Sequence, residues 1–432
     1  MTAKGLIMVL AAASMLLTAA PGFTAESGTS QVQPIFFGMH VNKISSLPVT
    51  VPIGSLRLWD TATNWIQLCP TNDYSQCDWR HLDEWLAAAK SNGVSEVMYT
   101  FGRTPDWVST EPQGDCGKGK VGICYPPRDL TADGGGTDSA FQGFVKALVE
   151  HNRLLDPSMH AKIKFWSIWN EPNAKHFWQG TTAQLVRMAK DARQIIKSAD
   201  PTALVLTPEP SCTSKHNGMN SAQGWLDDYL ARGGGQYADV VAFHAYAKNN
   251  GGYPSPESVV SMIEHVKAQV ARHPEVMDKP LWMTEGSWGK SDKTTWNGEG
   301  NEAGTFLIRY DVLIASEGIE RVYWYGWDLP TGTLWANGNA LPVTNAYRQV
   351  HDWLVGRAID RCTFQSNVWS CNISAAGYKG RILWVEEYQK TTSYDTGNFS
   401  AYRLATGEHG SIDPKAHLIN IGNSPVLIET PR

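Results

Sequence analysis

Between residues 36 and 327 the chain repeats one pattern eight times: a short, nearly continuous apolar run, usually followed by a helical stripe. The runs are 36–40, 55–60, 95–102, 162–170, 203–208, 240–246, 280–285 and 321–327. Runs this short and this apolar suit strands covered on both faces. The stripes between them follow helical spacing, as in Phe141, Phe144, Val145, Leu148 and Val149, or Leu185, Met188, Ala189, Ala192 and Ile196. Strand and helix alternating eight times predicts a parallel (β/α)8 TIM barrel over 34–355, an α/β fold. A doubly wound sheet would carry a Gly-rich nucleotide turn after its first strand, and Gly38-Met39-His40 is not one. After residue 356 the pattern changes to strand-like segments separated by Gly, Asn, Asp and Ser. This predicts a small C-terminal all-β sheet or sandwich domain over 356–432, with structural support as its expected role.

The first 25 residues read as a secretory signal peptide (1–25). Lys4 is the positive end, an apolar stretch runs to Leu17, and small residues follow to Ala25, with Ala20 and Ala25 both open as cleavage positions. No later stretch is long and apolar enough to span a bilayer. A secreted or periplasmic protein is therefore expected. Six of the seven cysteines fall in close pairs, Cys69 with Cys77, Cys116 with Cys124 and Cys362 with Cys371, which suits disulfides in an oxidising compartment and leaves Cys212 over. Neither a CxxC pair nor an HExxH helix is present, so no metal and no cofactor are expected. A net charge of −5 without a basic run gives no nucleic-acid footprint. A monomer is expected.

Chemistry in such barrels gathers where strands end. The fourth run ends Trp169-Asn170-Glu171-Pro172-Asn173 and the seventh ends Thr284-Glu285-Gly286, so each delivers a glutamate to the same rim. Two carboxyl groups are what glycosidic cleavage needs, one to protonate the leaving oxygen and one to attack or stabilise the anomeric carbon. The 18 tryptophans fit that reading, because flat aromatic faces pack on the C–H faces of sugars.

Trp169-Asn170-Glu171-Pro172-Asn173, followed by Phe177-Trp178, resembles the acid/base motif of clan A glycoside hydrolases, closest to family 39. The resemblance covers the barrel. It departs at Thr284-Glu285-Gly286, where family 39 more often has Asn or Trp near the glutamate, which leaves families such as family 5 open. It implies that Glu171 is the general acid/base, with a pKa near the working pH. It implies that Glu285 is the nucleophile, held ionised by Arg57 and Tyr246. Asn170 would bond the sugar hydroxyl beside the anomeric carbon, and His244 would line the site near the acid/base. Trp324, on the eighth run, would lie beneath the sugar ring being cut. His40, Trp107, Trp178, Trp288 and Trp327 sit at or just after strand ends and are candidates for a substrate groove. The expected function is retaining hydrolysis of a β-linked polysaccharide or exopolysaccharide, endo-acting if the rim tryptophans hold several sugar units. A catalytically silent sugar-binding barrel and a transglycosylase with the same residues are the alternatives.

Overall fold

The computed structural model describes residues 31–212, 221–250, 253–289, 300–329 and 331–430. The signal-like segment 1–25 lies outside the described residues. The barrel strands are β1 (Phe37–His40), β2 (Ser55–Leu58), β3 (Glu96–Thr100), β4 (Lys162–Ser167), β5 (Leu204–Leu206), β6 (Val241–His244), β7 (Leu281–Gly286) and β8 (Arg321–Trp324). All pair in parallel, β1 joins β8, and single bridges from Leu206 to Val240 and from Ser211 to His244 close the gap between β5 and β6. The result is a nearly closed eight-stranded barrel, as the alternating sequence requires.

Outside it run α1 (Arg80–Ser91), α2 (Ser139–Leu154), α3 (Thr182–Ala199), α4 (Ala222–Ala231), α5 (Ser258–Val270), α6 (Asn301–Ser316) and α7 (Val343–Leu354). The stripe of α2 is buried throughout, and α3 starts on a capping box in which Thr181 and Gln184 satisfy each other's backbone N–H. Inside the barrel Met98, Phe165, Leu206, Val240, Ala242, Trp282 and Tyr323 form a separate apolar plug. Arg321 lies over the Phe165 and Trp282 rings, 4.2 and 3.9 Å from their centroids. Beyond this plug, toward the C-terminal ends of the strands, the polar side chains Arg57, His244 and Glu285 are gathered.

Beyond α7 the described residues form antiparallel sheets and no helix. The main one is built on the hairpin Val368–Ala375 with Tyr378–Val385. Its Trp384 donates to Glu257, which also pairs with Arg309 of α6. With α5 and α7 packed on its other sides, α6 is buried on nearly every side.

All three close cysteine pairs are bonded, with S–S lengths of 1.99, 2.06 and 2.03 Å, and Cys212 is a buried free thiol.

Candidate active site

Glu285 does not face the barrel mouth through simple strand alternation. Trp282 points into the plug and Met283 out to the helices, so strict alternation would send Thr284 inward and Glu285 outward. The β6–β7 register steps from Phe243↔Met283 to His244↔Glu285, so β7 carries one extra residue there, and β8 shows the matching irregularity. A bulge of this kind re-aims the side chain beyond it. Gly286 follows because a Cβ there would collide with the Ala245 carbonyl and the Tyr310 hydroxyl, which accounts for the unusual Thr-Glu-Gly ending.

Glu171 is also set by special backbone. Its φ is +39°, an uncommon conformation for a residue with a side chain. Its N–H donates to the Glu209 carbonyl and the Glu209 N–H to the Trp169 carbonyl, so the chain after β4 is stitched to the chain after β5. An oxygen of Glu171 and one of Glu285 lie within 4.8 Å of each other, with His244 between them.

Arg57 organises the cluster from the floor and is 1% exposed. Its Nη1 donates to Glu285 at 3.0 Å, and its Nη2 donates to Asn170 at 2.7 Å and to Glu209 at 2.5 Å. Its Nε donates to Thr100 at 3.1 Å. His40 Nε2 lies 3.0 Å from Arg57 Nη1, and burial with the adjacent guanidinium holds its pKa well below the usual value, so the ring is neutral. Tyr246 donates its hydroxyl to Glu285 at 2.5 Å. His244 Nδ1 lies 3.1 Å from Glu171 and 3.6 Å from Glu285. Burial pulls the His244 pKa down, but the charges and hydrogen bonds of Glu285, Glu171 and Glu209 outweigh it and push the pKa up to about 9.

This cationic imidazole corrects the sequence-based pKa assignment. Burial raises the Glu171 carboxyl, but the His244 hydrogen bond and charge, with a Ser211 hydrogen bond, bring it below the ordinary value. For Glu285, burial and the Glu171 charge raise the carboxyl further than His244, Arg57 and Tyr246 lower it. The acidic proton of the Glu171–His244 pair therefore rests on the ring nitrogen. Glu171, His244 and Glu285 also offer atoms close enough to share a cation, but His244 and Arg57 already supply positive charge there.

Arg57, Asn170, Glu171, His244, Tyr246, Glu285 and His40 thus converge at one place. The tryptophans expected around them do not. Trp324 is 1% exposed, bonds the Gly332 carbonyl through its indole N–H, and packs against Trp288 and Phe306. Trp178 packs edge-on to Trp169 and bonds the Thr181 carbonyl, and Trp327 stacks on Trp335 and bonds the Ser46 carbonyl. Trp288 is buried, and Trp107 is half-buried against Trp65 and Tyr74. None of the five lines the cleft. Its wall is formed instead by Trp59, Asp60, Arg103, Lys118, Lys120, His176, Phe177 and Tyr325, over a volume of about 200 Å³. Tyr325, one residue past Trp324, lines the cleft and donates its hydroxyl to Asp60. Glu209 was also missed, although Thr207-Pro208-Glu209 ends the fifth run as Glu171 ends the fourth, and the strand-end rule applied to Glu171 would have found it.

A parallel barrel presenting two glutamates, one just after β4 and one on β7, with a buried arginine beneath them, defines a barrel enzyme of the glycosidase type. Residues 137–347 match the family described as "Glycosyl hydrolase catalytic core". The chain is accordingly a glycoside hydrolase, and its fold is the one the clan A resemblance implied. It is similar to a family 39 glycoside hydrolase from Bacteroides cellulosilyticus, at 15% identity and a TM-score of 0.67 over 92% of this chain and 81% of that one. It is also similar to the family 39 enzyme from Xanthomonas axonopodis, at 15% identity and 0.58 over 94% and 96%. A family 30 subfamily 8 xylanase from Clostridium acetobutylicum matches at 14% identity and 0.60 over 93% and 96%. No curated relative matches the chain.

Proposed function

We propose that the protein is a retaining hydrolase of a β-linked polysaccharide outside the cytoplasm, with Glu285 as nucleophile and Glu171 as acid/base. The observation that carries this reading is the approach of one Glu171 carboxyl oxygen to within 4.8 Å of one Glu285 oxygen. Retaining enzymes hold their carboxyls about 5–5.5 Å apart, whereas inverting ones leave about 6.5–9.5 Å for a water.

The hydrogen bonds support the division of labour. Glu285 receives two fixed donors, Arg57 and Tyr246, which favour its ionised form and aim it at the anomeric carbon. Glu171 faces a partner that can give up a proton. When a sugar displaces water, the charged Glu171–His244 pair becomes expensive, and moving the Nδ1 proton to the carboxylate gives two neutral groups. Glu171 is then the acid that protonates the leaving oxygen, and afterwards the base that activates water on the glycosyl-enzyme. Asn170, held by Arg57, is placed to bond the neighbouring sugar hydroxyl.

The bonded cysteines and the signal-like start support export. Among the described residues no helix is long and apolar enough to cross a membrane. Endo action loses the support of the rim tryptophans, none of which lines the cleft, so product sizes must decide it. The testing experiment is NMR of the first-formed product from a polysaccharide that the protein cleaves. The substrate's own anomer is expected, and an inverted first product would sink the assignment. Longer oligosaccharide products in place of hydrolysed ends would reveal transglycosylation.

A further inference from the structure

One wall of the cleft is basic. Arg103, Lys118 and Lys120 line it with His176, against one carboxylate, Asp60. Asp60 is already engaged, accepting from the Tyr325 hydroxyl at 2.7 Å and from Arg103 at 3.4 Å. Neither Lys118 nor Lys120 makes an ion pair among the described residues. This cluster stands out in a chain whose net charge is −5.

The lysines are presented by a built turn. Gly117, Lys118 and Gly119 all have positive φ, and Lys120 bonds back to Cys116 and Gly117 through its backbone. The Cys116–Cys124 disulfide closes the turn. Gln179 ties it to the segment after Glu171, donating from its backbone to the Cys124 carbonyl at 2.7 Å and from its side chain to the Asp115 carbonyl at 2.8 Å. Burial lowers the Lys120 pKa, and Arg103 and Lys118 lower it further, so these cations face one another. Burial lowers His176 as well, and both lysines add to that, against the pull of Glu171. Like charges held on a rigid loop repel one another, and an anion between them removes that repulsion.

We propose that this wall of the cleft is a subsite for an anionic sugar unit, one bearing a carboxylate or a sulfate ester, so that the polymer cleaved is an acidic polysaccharide. The inference rests on the hydrolase reading for the place of the subsite beside the scissile bond. Arg103, Lys118 and Lys120 take the anionic group. The half-exposed rings of Phe177 and Tyr325 on the cleft wall take the sugar ring.

The test is calorimetry on the full chain carrying Glu285→Gln, which keeps the oligosaccharide intact. The probes are a β-1,4-oligoglucuronate and the cello-oligosaccharide of equal length, which differ only in the carboxylate at C6, together with a 6-sulfated cello-oligosaccharide. At low salt at least one acidic form should bind about tenfold tighter than the neutral form, with the preference shrinking as salt rises. Whichever acidic form binds better identifies the anion. Adding Lys118→Gln and Lys120→Gln should bring the ratio close to one, while Lys146→Gln on α2, outside the cleft, should leave it unchanged. Equal affinities, no binding of any acidic form, or a preference that survives loss of both lysines would overturn the subsite. The native chain is assayed in parallel for reducing ends from neutral and acidic polymers. Cleavage without acidic preference retains the hydrolase and removes the subsite. Acidic preference without cleavage of any polymer does the reverse.

Discussion

Arg57 and Glu209 form an ion pair with no exposed side-chain surface on either partner, directly beneath the two glutamates. Among the described residues the Glu209 Oε1 atom has no hydrogen-bond partner. Glu209 is thus a positioning residue. It holds the guanidinium so that Nη1 reaches Glu285 and Nη2 reaches Asn170, and its backbone anchors Glu171. Glu209→Gln should destabilise the fold by about 2–3 kcal/mol. That is below the ~3–5 kcal/mol for an isolated buried pair, because Arg57 keeps Glu285 as a partner. Turnover should fall more than KM rises, and the acid limb of the pH profile should shift. Unchanged unfolding and an unchanged profile would contradict this role.

His244→Asn should change the alkaline behaviour. The native ring has its pKa raised to about 9, against about 6.5 in the unfolded chain. A raised pKa contributes stability that is complete below pH ~6.5 and is lost as the pH rises through 9. Between those limits the native protein should lose stability with pH, and His244→Asn should flatten that slope. The basic limb of kcat/KM, near 9 in the native enzyme, should move or vanish in the variant. A limb that stays at the same pH after the substitution would show that another group sets it.

Glu285→Gln and Glu171→Ala should fail differently. The first removes the nucleophile and should lower turnover at least about a thousandfold, ~4 kcal/mol, on every substrate. The second should cost about 10²–10⁴-fold on the polymer but spare an aryl glycoside whose leaving group needs no proton. Added azide should partly restore it. Azide rescue confined to the position-285 variant, with the opposite anomer formed, would swap the roles.

Trp178→Ala should destabilise by ~3–5 kcal/mol through the cavity left against Trp169, with KM for soluble oligosaccharides little changed. Phe177→Ala, at the cleft wall, should show the opposite balance, a raised KM with a smaller loss of stability. Equal KM effects from both would return Trp178 to the substrate path.

Cys212 is buried, and burial pushes its thiol up to about 12. The folded protein should resist thiol reagents, and one thiol per chain should appear on unfolding. Peptide mapping without reduction should recover three loop-linked peptides. Linkage of Cys212 to any of the other six would refute that pattern.

The eight apolar runs determined the barrel, because a fully covered parallel strand must be apolar on both faces and the helical stripes can cover it in few other ways. The ends of the fourth and seventh runs located Glu171 and Glu285, since a strand end is a local property of sequence, and the clan A resemblance added Asn170, Arg57, His244 and Tyr246. Cysteine spacing gave the three bonded pairs for the same reason. The tertiary structure alone decided what depends on neighbours distant in the chain. An extra residue in β7, visible only against its neighbours β6 and β8, turns Glu285 inward. Glu209 matters because Arg57, 152 residues away, meets it beneath the mouth. Tryptophans after strand ends became core because rings distant in the chain pack on them, and Lys118 and Lys120 became cleft wall because the disulfide-closed turn that carries them is tied to Gln179. Alternation along a strand says which residues share a face, but a bulge, a loop or a distant charge decides what that face meets.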